Sequence, residues 1–405
     1  MTKSFDPATS LSPRASAADE GAIIRMSQRT RELRARGQDI VALTLGEPDF
    51  DTPRHIRTAA AEAIEQGHTH YAPVAGVLEL KEAISRKLKR ENGLEYSASK
   101  IVVANGVKQA INNAILSVIG PGDEVIILAP YWVSYEASVR FAGGTPVILS
   151  STVAENYKVP ADRISAAITP ATKLLIINSP CNPTGAVWSK AELQAIADVV
   201  RANSRMLVLA DEIYEYILFD GELTSFGTLP SMLDRTITLN GFSKGFAMTG
   251  WRLGYAAAPL PIAQAMVRMQ SIISAGANAF VQRAAIAALD GPRDDVITMR
   301  EAYRYRRDLV IAKLRDIPGV EIADIPGTFY AFPDVSAFLG ARSVDDLCDW
   351  LLEKHGVATV TGTAFGAPNS LRLSFATSEE ELLNAMNRID KGLRQFNKGT
   401  SSATS

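Results

Sequence analysis

Residues 239–254 read Leu239-Asn240-Gly241-Phe242-Ser243-Lys244-Gly245-Phe246-Ala247-Met248-Thr249-Gly250-Trp251-Arg252-Leu253-Gly254. Lys244 stands at the centre. It follows a β-type run over 235–239 and is crowded by small residues: Gly241, Ser243, Gly245, Ala247 and Gly250. An exposed lysine needs no such company. One whose amine must meet a flat ligand does, because small neighbours let ligand and backbone come close. Arg252 lies just downstream, and a guanidinium is fork-shaped and always charged, which suits phosphate. A ligand carrying both an aldehyde and a phosphate would use the two side chains together, the lysine for an imine and the arginine for the anion.

Upstream of this stretch, strands and helices alternate. Residues 101–104, 124–128, 145–149, 174–177, 206–210 and 236–239 are short apolar runs, and helical spacing fills 107–119, 131–142, 161–168 and 189–202 between the first five. Unbroken apolar strands between helices predict an α/β fold with a mostly parallel sheet covered on both faces. Ligands of such sheets gather at the carboxyl ends of the strands. Gly106, Trp132, Asn182, Asp211 and Lys244 all fall at such ends. Nearer the start, 23–36 predicts a half-exposed helix and 39–44 a short strand. Residues 45–53, Leu-Gly-Glu-Pro-Asp-Phe-Asp-Thr-Pro, form a stiff loop whose Thr52 and Pro53 open a helix. The loop over 67–76 carries Tyr71, and 78–92 reads as a charged amphipathic helix. Downstream, 261–314 is helical, the next part mixes strands and helices over 320–322, 329–332, 344–355, 358–360 and 371–375, and a helix closes the chain over 378–396. Residues 1–19 and 398–405 are small and polar and predict loose order.

Composition narrows the class. The 405 residues are enough for two domains, with 47% apolar and 21% charged residues, as in an ordinary globular protein. Charge is 42 basic minus 44 acidic, or −2, with no basic stripe, which argues against a nucleic-acid binder. No apolar run approaches the roughly 18–20 residues of a membrane span. Residues 1–16 lack the apolar core of a signal peptide, and Cys181 and Cys348 make no disulfide framework. A cytoplasmic protein is expected. His68 and His70, in Gly-His-Thr-His, do not give a zinc pattern, so no metal is expected.

Other residues complete a chemistry around Lys244. Asp211 ends an apolar strand, where a buried carboxylate could keep a cofactor ring nitrogen protonated. Tyr214 follows three residues later. Asn182 lies in Asn-Ser-Pro-Cys-Asn-Pro-Thr-Gly (178–185), straight after a strand. Gly106, Val107 and Lys108 join a strand to a helix, and a helix N-terminus offers backbone donors to an anion. Arg372 sits inside the apolar strand Leu-Arg-Leu-Ser-Phe (371–375), where an arginine needs a partner.

Together these motifs resemble the class-I (fold-type-I) pyridoxal-phosphate aminotransferases over about residues 20–397. Gly241 to Gly254 fits the lysine signature at every position. Gly-Glu-Pro-Asp-Phe-Asp-Thr-Pro, Pro-Tyr-Trp-Val-Ser-Tyr and Ala-Met-Thr-Gly-Trp-Arg resemble the bacterial aspartate/prephenate branch. The resemblance implies pyridoxal 5'-phosphate bound covalently to Lys244, with Asp211 on the ring nitrogen and Asn182 and Tyr214 on the phenolic oxygen. Arg252 and the backbone of Gly106, Val107 and Lys108 would hold the phosphate. Trp132 would stack on the ring, and Tyr71 would reach the phosphate of a partner subunit, which implies a homodimer with shared sites. For the substrate, the resemblance implies Arg372 on the α-carboxylate, Gly46 beside it and Phe329 walling the pocket. Lys108 matches a lysine associated in this branch with acidic substrates. There are departures. Gly241 stands where many relatives have a phosphate-binding serine, and Val107 replaces a glycine, which would narrow the pocket. The animal enzymes' partner-subunit arginine for the distal carboxylate has no counterpart.

The implied organisation is a large cofactor-binding domain over 51–290 and a small α+β domain from 1–50 with 291–405. The implied reaction is ping-pong amino transfer between L-amino acids and 2-oxo acids. Aspartate or glutamate with oxaloacetate or 2-oxoglutarate is expected, with prephenate as an additional acceptor. The competing readings are an aminotransferase for apolar or aromatic donors and a lyase on the same scaffold, since a fold alone does not decide reaction outcome. A transcription regulator built on such a domain would carry a DNA-binding domain ahead of it. The fifty residues before the large domain hold Gly46, which argues against that reading.

Overall fold

The computed structural model describes residues 6–12, 15–16 and 21–398. Helix α1 (Ala22–Ala35) leads into strand β1 (Val41–Ala42), and helices α2 (Arg54–Glu65) and α3 (Leu78–Lys87) follow. The alternating part runs β2 (Ile101–Ala104), α4 (Val107–Val118), β3 (Glu124–Ala129), α5 (Ser134–Phe141), β4 (Thr145–Ser150) and α6 (Ala161–Ala166). It continues through β5 (Thr172–Asn178), α7 (Lys190–Ala202), β6 (Leu207–Asp211), β7 (Thr236–Gly241) and β8 (Gly254–Ala257).

These strands make one sheet in the order β2-β8-β7-β6-β5-β3-β4. The pairs from β7 through β4 are parallel, and β8 runs antiparallel to both of its neighbours. Side chains alternate across a strand, so each strand feeds two cores. Leu174 and Ile176 of β5 join the core that holds Ile111 of α4, whereas Leu175 and Ile177 join the one that holds Leu193 and Ile196 of α7. Each such side chain, fully buried, contributes roughly 1.5–3 kcal/mol. The helices start where local chemistry allows. At α7, Ser189 Oγ accepts from Glu192 N at 3.3 Å while Glu192 Oε2 accepts from Ser189 N at 2.7 Å, a reciprocal cap.

The rest of the chain is α8 (Leu260–Ile273), α9 (Ala279–Asp290), α10 (Asp294–Arg315), β9 (Tyr330–Ala331), α11 (Val344–His355), β10 (Val357–Ala358), β11 (Val360–Thr361), β12 (Leu371–Ser374) and α12 (Glu379–Lys398). Early and late segments of the chain meet: β1 pairs in parallel with β10, Val41 opposite Val357. Strands β11, β12 and β9 form a separate antiparallel sheet. The molecule is therefore α/β, with a mostly parallel central sheet and a smaller α+β part. Among the described residues no helix is long and apolar enough to cross a membrane, and no group of three or more His, Cys, Asp or Glu side chains could hold a metal ion.

Several local expectations change. Strand β8 was not expected: Gly-Tyr-Ala-Ala has no β-branched residue, and its pairing on both edges makes it a strand. The helix expected over 78–92 leaves α-helical geometry at Lys87 and ends in a π-helical turn, Leu88–Asn92, closed by Gly93 at φ 68°. The helical region 261–314 is three helices, broken near Gly276 (φ 119°) and Gly291. Residues 320–322 give a single bridge, Glu321 to Asp334, and 358–360 is divided at Thr359 because β10 and β11 serve different sheets. The loose order expected at the termini falls largely outside the described residues.

Strand β8 also meets the start of α4. A Cβ on Gly254 would lie 2.6 Å from Val107 N and 3.0 Å from Gly106 C, and neither backbone atom can swing aside. Gly254→Ala is expected to destabilise the fold by about 1–3 kcal/mol, the usual cost of overpacking. Urea unfolding measures it, and a midpoint equal to the parent's would show that this contact yields freely.

Candidate active site

The carboxyl ends of β2, β3, β5, β6 and β7 converge on a cavity of about 360 Å³. Among the residues proposed from sequence, Gly46, Val107, Lys108, Trp132, Asn182, Asp211, Tyr214, Lys244, Arg252 and Arg372 line it together. They come from positions 46 to 372, so folding rather than sequence proximity assembles them.

Lys244 lies in the turn after β7, half-buried, and its ammonium is bonded to the Gly46 carbonyl. Burial pushes its pKa down to about 8. The charges of Arg372 and Arg252 add to that, while Glu47 and Asp211 oppose it. Asp211 closes β6 and is 3% exposed. Its Oδ2 accepts from Tyr135 OH at 2.6 Å and its Oδ1 from Ile213 N at 3.2 Å. Burial raises its pKa to about 6, against those two donors and the charge of Lys244.

The adjoining loop is locked onto the same strand end. Asn178 Nδ2 and Ser179 N both donate to the Asp211 carbonyl, at 2.9 and 3.1 Å, and Asn178 Oδ1 accepts from Asn182 N at 2.7 Å. Asn182 Oδ1 in turn accepts from Arg372 Nη1 at 3.2 Å, and Arg372 Nη2 donates to the Thr44 carbonyl at 2.6 Å. The Arg372 guanidinium stands 4.5 Å from the Tyr330 ring, and its Nε has no partner among the described residues. Tyr330 OH and Tyr214 OH are 2.9 Å apart.

On the same cavity, the start of α4 and Arg252 present a cup of N–H donors. Helix α4 begins at Val107, so the amides of Val107 and Lys108 lie in its first turn, where the helix itself supplies no acceptor. Arg252 packs on Gly106, where a Cβ would come within 2.6 Å of Arg252 Nη2 and where φ is 80°. Gly106 N–H does not serve the cup as expected, since it donates to the Ala104 carbonyl at 2.8 Å. Trp132 is half-buried, edge-on to Tyr135 at 5.5 Å, and Lys108 Nζ lies 5.4 Å from its ring. Partial desolvation, and then the charge of Arg252, lowers the proton affinity of Lys108.

Val107 and Gly241 share one crowded corner. A Cβ on Gly241 would lie 2.9 Å from Val107 Cγ2, 2.8 Å from Gly254 Cα and 3.1 Å from the Leu253 carbonyl. Valine and backbone together leave no room for a side chain at 241, and Val107 also lines the cavity.

Gly106 backs the cup without lining the cavity itself, and two further expected residues stand off it. Phe329 is fully buried behind the lining, its ring centre 5.8 Å from Lys244 Nζ. It packs behind Tyr214 at 5.8 Å, and its neighbour Tyr330 forms the wall, because adjacent strand residues face opposite ways. Tyr71 is 97% exposed on the 67–76 loop and is not part of this chain's cavity. Sequence reading also missed Tyr135, Tyr330, Glu47, Ile23 and Leu45, which line it. Tyr135 lay within the quoted Pro-Tyr-Trp-Val-Ser-Tyr motif and Glu47 beside Gly46, so both had a signal. Ile23, brought in by α1 from far off in sequence, had none.

In the cofactor-free protein, the ε-carbon NMR signal of Lys244 is expected to titrate near pH 8. Removing a neighbouring positive charge favours the protonated amine, so Arg372→Met should move that midpoint upward. An unchanged midpoint would mean that Arg372 does not act on this amine.

The chain matches the family model for aminotransferases of class I and II over residues 38–389. It is 44% identical to the aspartate/prephenate aminotransferase of Cereibacter sphaeroides, over 90% of this chain and 94% of that one. The crystal structure of the aspartate aminotransferase from Rhizobium meliloti superposes with a TM-score of 0.92 at 38% identity, covering 96% of this chain and 99% of that one. The Thermus thermophilus aspartate aminotransferase with maleate gives 0.91 at 43% identity, covering 94% and 99%. Likeness that runs from the first strand into the closing helix leaves one assignment: the chain belongs to the class I and II aminotransferase family and is an aminotransferase.

Proposed function

We propose that this enzyme moves an amino group between L-aspartate or L-glutamate and the 2-oxo acids oxaloacetate and 2-oxoglutarate, with prephenate as a further acceptor, using pyridoxal 5'-phosphate held covalently by Lys244. The observation that carries the reading is an amine lowered to about 8, sharing one cavity with a buried carboxylate and an anion cup. The residues fit that cofactor. Arg252 and the first-turn amides of Val107 and Lys108 would hold the phosphate, and Gly106 lets the guanidinium come close. Trp132 would stack on the ring, and Asn182 and Tyr214 would hold its phenolic oxygen. Asp211 would keep a proton on the ring nitrogen, and that positive charge would draw the acid back below 6.

When bound, pyridoxal 5'-phosphate supplies an electron-accepting ring that carries the amino group from donor to acceptor. The protein's own residues do the remaining work. Arg372 takes the substrate α-carboxylate in two-point fashion beside the Gly46 backbone. Freed when the substrate amine takes its place, Lys244 Nζ removes the proton from the substrate α-carbon and later returns a proton, a task suited to an amine poised near neutral pH. Donor and acceptor use the same Arg372 carboxylate site in turn, so the first product leaves before the second substrate binds.

The same reading assigns residues 51–290 to the cofactor-binding domain and 1–50 with 291–405 to the small one, supported by the pairing of β1 with β10. It also makes the enzyme a cytoplasmic homodimer, in keeping with two free cysteines. Tyr71, Ile272 and Ile273 are 97%, 79% and 53% exposed. The loop that carries Tyr71 and the helix that carries the two isoleucines meet where Gln270 of α8 donates to the Val74 carbonyl. A second copy would cover this apolar surface and carry Tyr71 to the neighbouring phosphate site.

A second reading, apolar or aromatic donors, draws on Ile23, Leu45, Val107 and Trp132 around the cavity. Lys108 favours acidic partners, because a charge-assisted contact there is worth on the order of 1.5–3 kcal/mol, roughly ten- to hundred-fold in selectivity.

Borohydride reduction of the holoenzyme is expected to fix the cofactor on Lys244, and Lys244→Ala to abolish transamination with the fold intact. Label on a different lysine would overturn the cofactor reading. For the substrate, wild type should prefer aspartate to alanine and phenylalanine in kcat/KM, and Lys108→Ala should lower that ratio roughly ten- to hundred-fold. A ratio unmoved by the substitution sinks the acidic-substrate reading and leaves the aminotransferase assignment standing.

A further inference from the structure

The turn that follows β6 has two faces. Asp211 and Tyr214 look into the cavity. Glu212, Glu215 and Tyr216 are engaged elsewhere, with the end of α3 and the π-helical turn after it. Lys87 is completely buried there. Its ammonium is bonded to Glu215 and, at 2.7 Å, to Asn92 Oδ1. Asn92 Nδ2 donates to Glu215 Oε2 at 2.9 Å and reaches Glu212 Oε2 at 3.4 Å. Glu212, 3% exposed, also accepts from Ser225 Oγ at 2.7 Å and Phe226 N at 3.3 Å. Lys87 Nζ lies 5.3 Å from the Tyr216 ring, and that ring presses on the residue after Lys244: a Cβ on Gly245 would sit 2.4 Å from Tyr216 Cδ2. One buried network thus backs both segments that carry the reacting groups, while none of its charged members lines the cavity.

Stability alone is a weak reason for such an arrangement. A buried ion pair is often matched or bettered by apolar side chains of the same volume. What apolar side chains do not supply is direction: a satisfied hydrogen-bond network fixes where each backbone segment lies. We propose that the Lys87–Glu215–Glu212 network is a positioning device for the reaction. From outside the cavity it holds the 211–216 turn, and through Tyr216 the Lys244 segment, in the placement the cavity needs. The proposal rests on the roles given above to Asp211, Tyr214 and Lys244.

The test is the paired substitution Lys87→Met with Glu215→Gln, which removes both charges and keeps side-chain volume. Amide hydrogen exchange is read on the cofactor-free protein, and pyridoxal 5'-phosphate affinity by absorbance titration. Exchange over 211–217 and 243–247 should quicken about tenfold while the other sheet strands keep their protection, and affinity should fall about tenfold with the thermal midpoint near the parent's. Absence of either effect overturns the proposal. So does faster exchange throughout the protein with a lower midpoint and unchanged affinity, which marks a purely structural pair. If the double variant does not fold, Glu215→Gln alone, which keeps an acceptor for Asn92, is read by the same two measurements and the same criteria. Should borohydride fail to label Lys244, the cofactor reading falls, and the exchange result, which involves no cofactor, still decides whether the network holds these segments.

Discussion

A single buried guanidinium ties the parts of the site together. Arg372 belongs to β12, yet it donates to the Thr44 carbonyl near the start of the chain and to Asn182 beside the central sheet. Removing such a charge from water is expensive unless hydrogen bonds and ring faces replace the lost hydration. Tyr330 and Phe365 supply the faces, at 4.5 and 5.1 Å. The compensation stops short at Nε. The substrate carboxylate proposed for Arg372 would restore part of the lost hydration on binding.

The same charge shapes the chemistry at a distance. Arg372 and Arg252 both bear on Lys244, and with burial they make its neutral, basic form accessible near neutral pH. Asp211 is handled in the opposite sense. Burial lifts it, and Tyr135 with the Ile213 amide holds it partway down. Burial thus moves the two groups in opposite directions, because it disfavours whichever form carries charge: the cation of Lys244 and the anion of Asp211.

Much of this was legible in the sequence because it was local. The apolar runs between helices gave six of the seven sheet strands, and the small residues around Lys244 marked a place where something flat must fit. What stayed hidden depended on contacts between distant segments. Strand β8 has no intrinsic β signal and exists because β2 and β7 clasp it. Phe329 and Tyr330 differ by one step of a two-residue alternation, and the pattern Phe-Tyr-Ala-Phe does not say which ring faces the cavity. Lys87 reads as one more charge on an amphipathic helix, although it is wholly enclosed. Of its partners Asn92 and Glu91 are near in sequence, but Glu215 lies 128 residues on and no spacing rule connects them.

The crowding at Gly241 sets how substitutions there will combine. A Cβ at 241 would stand 2.9 Å from a methyl group of Val107, and also 2.8 Å from Gly254 Cα and 3.1 Å from the Leu253 carbonyl. Shrinking the valine removes only the first of these contacts. The other two are backbone, and they yield only if β7 and β8 move apart. Positions 107, 241 and 254 therefore act as one packing unit: the effects of changing them will not add, and a larger residue placed at 241 alone will report the neighbours it meets rather than its own worth.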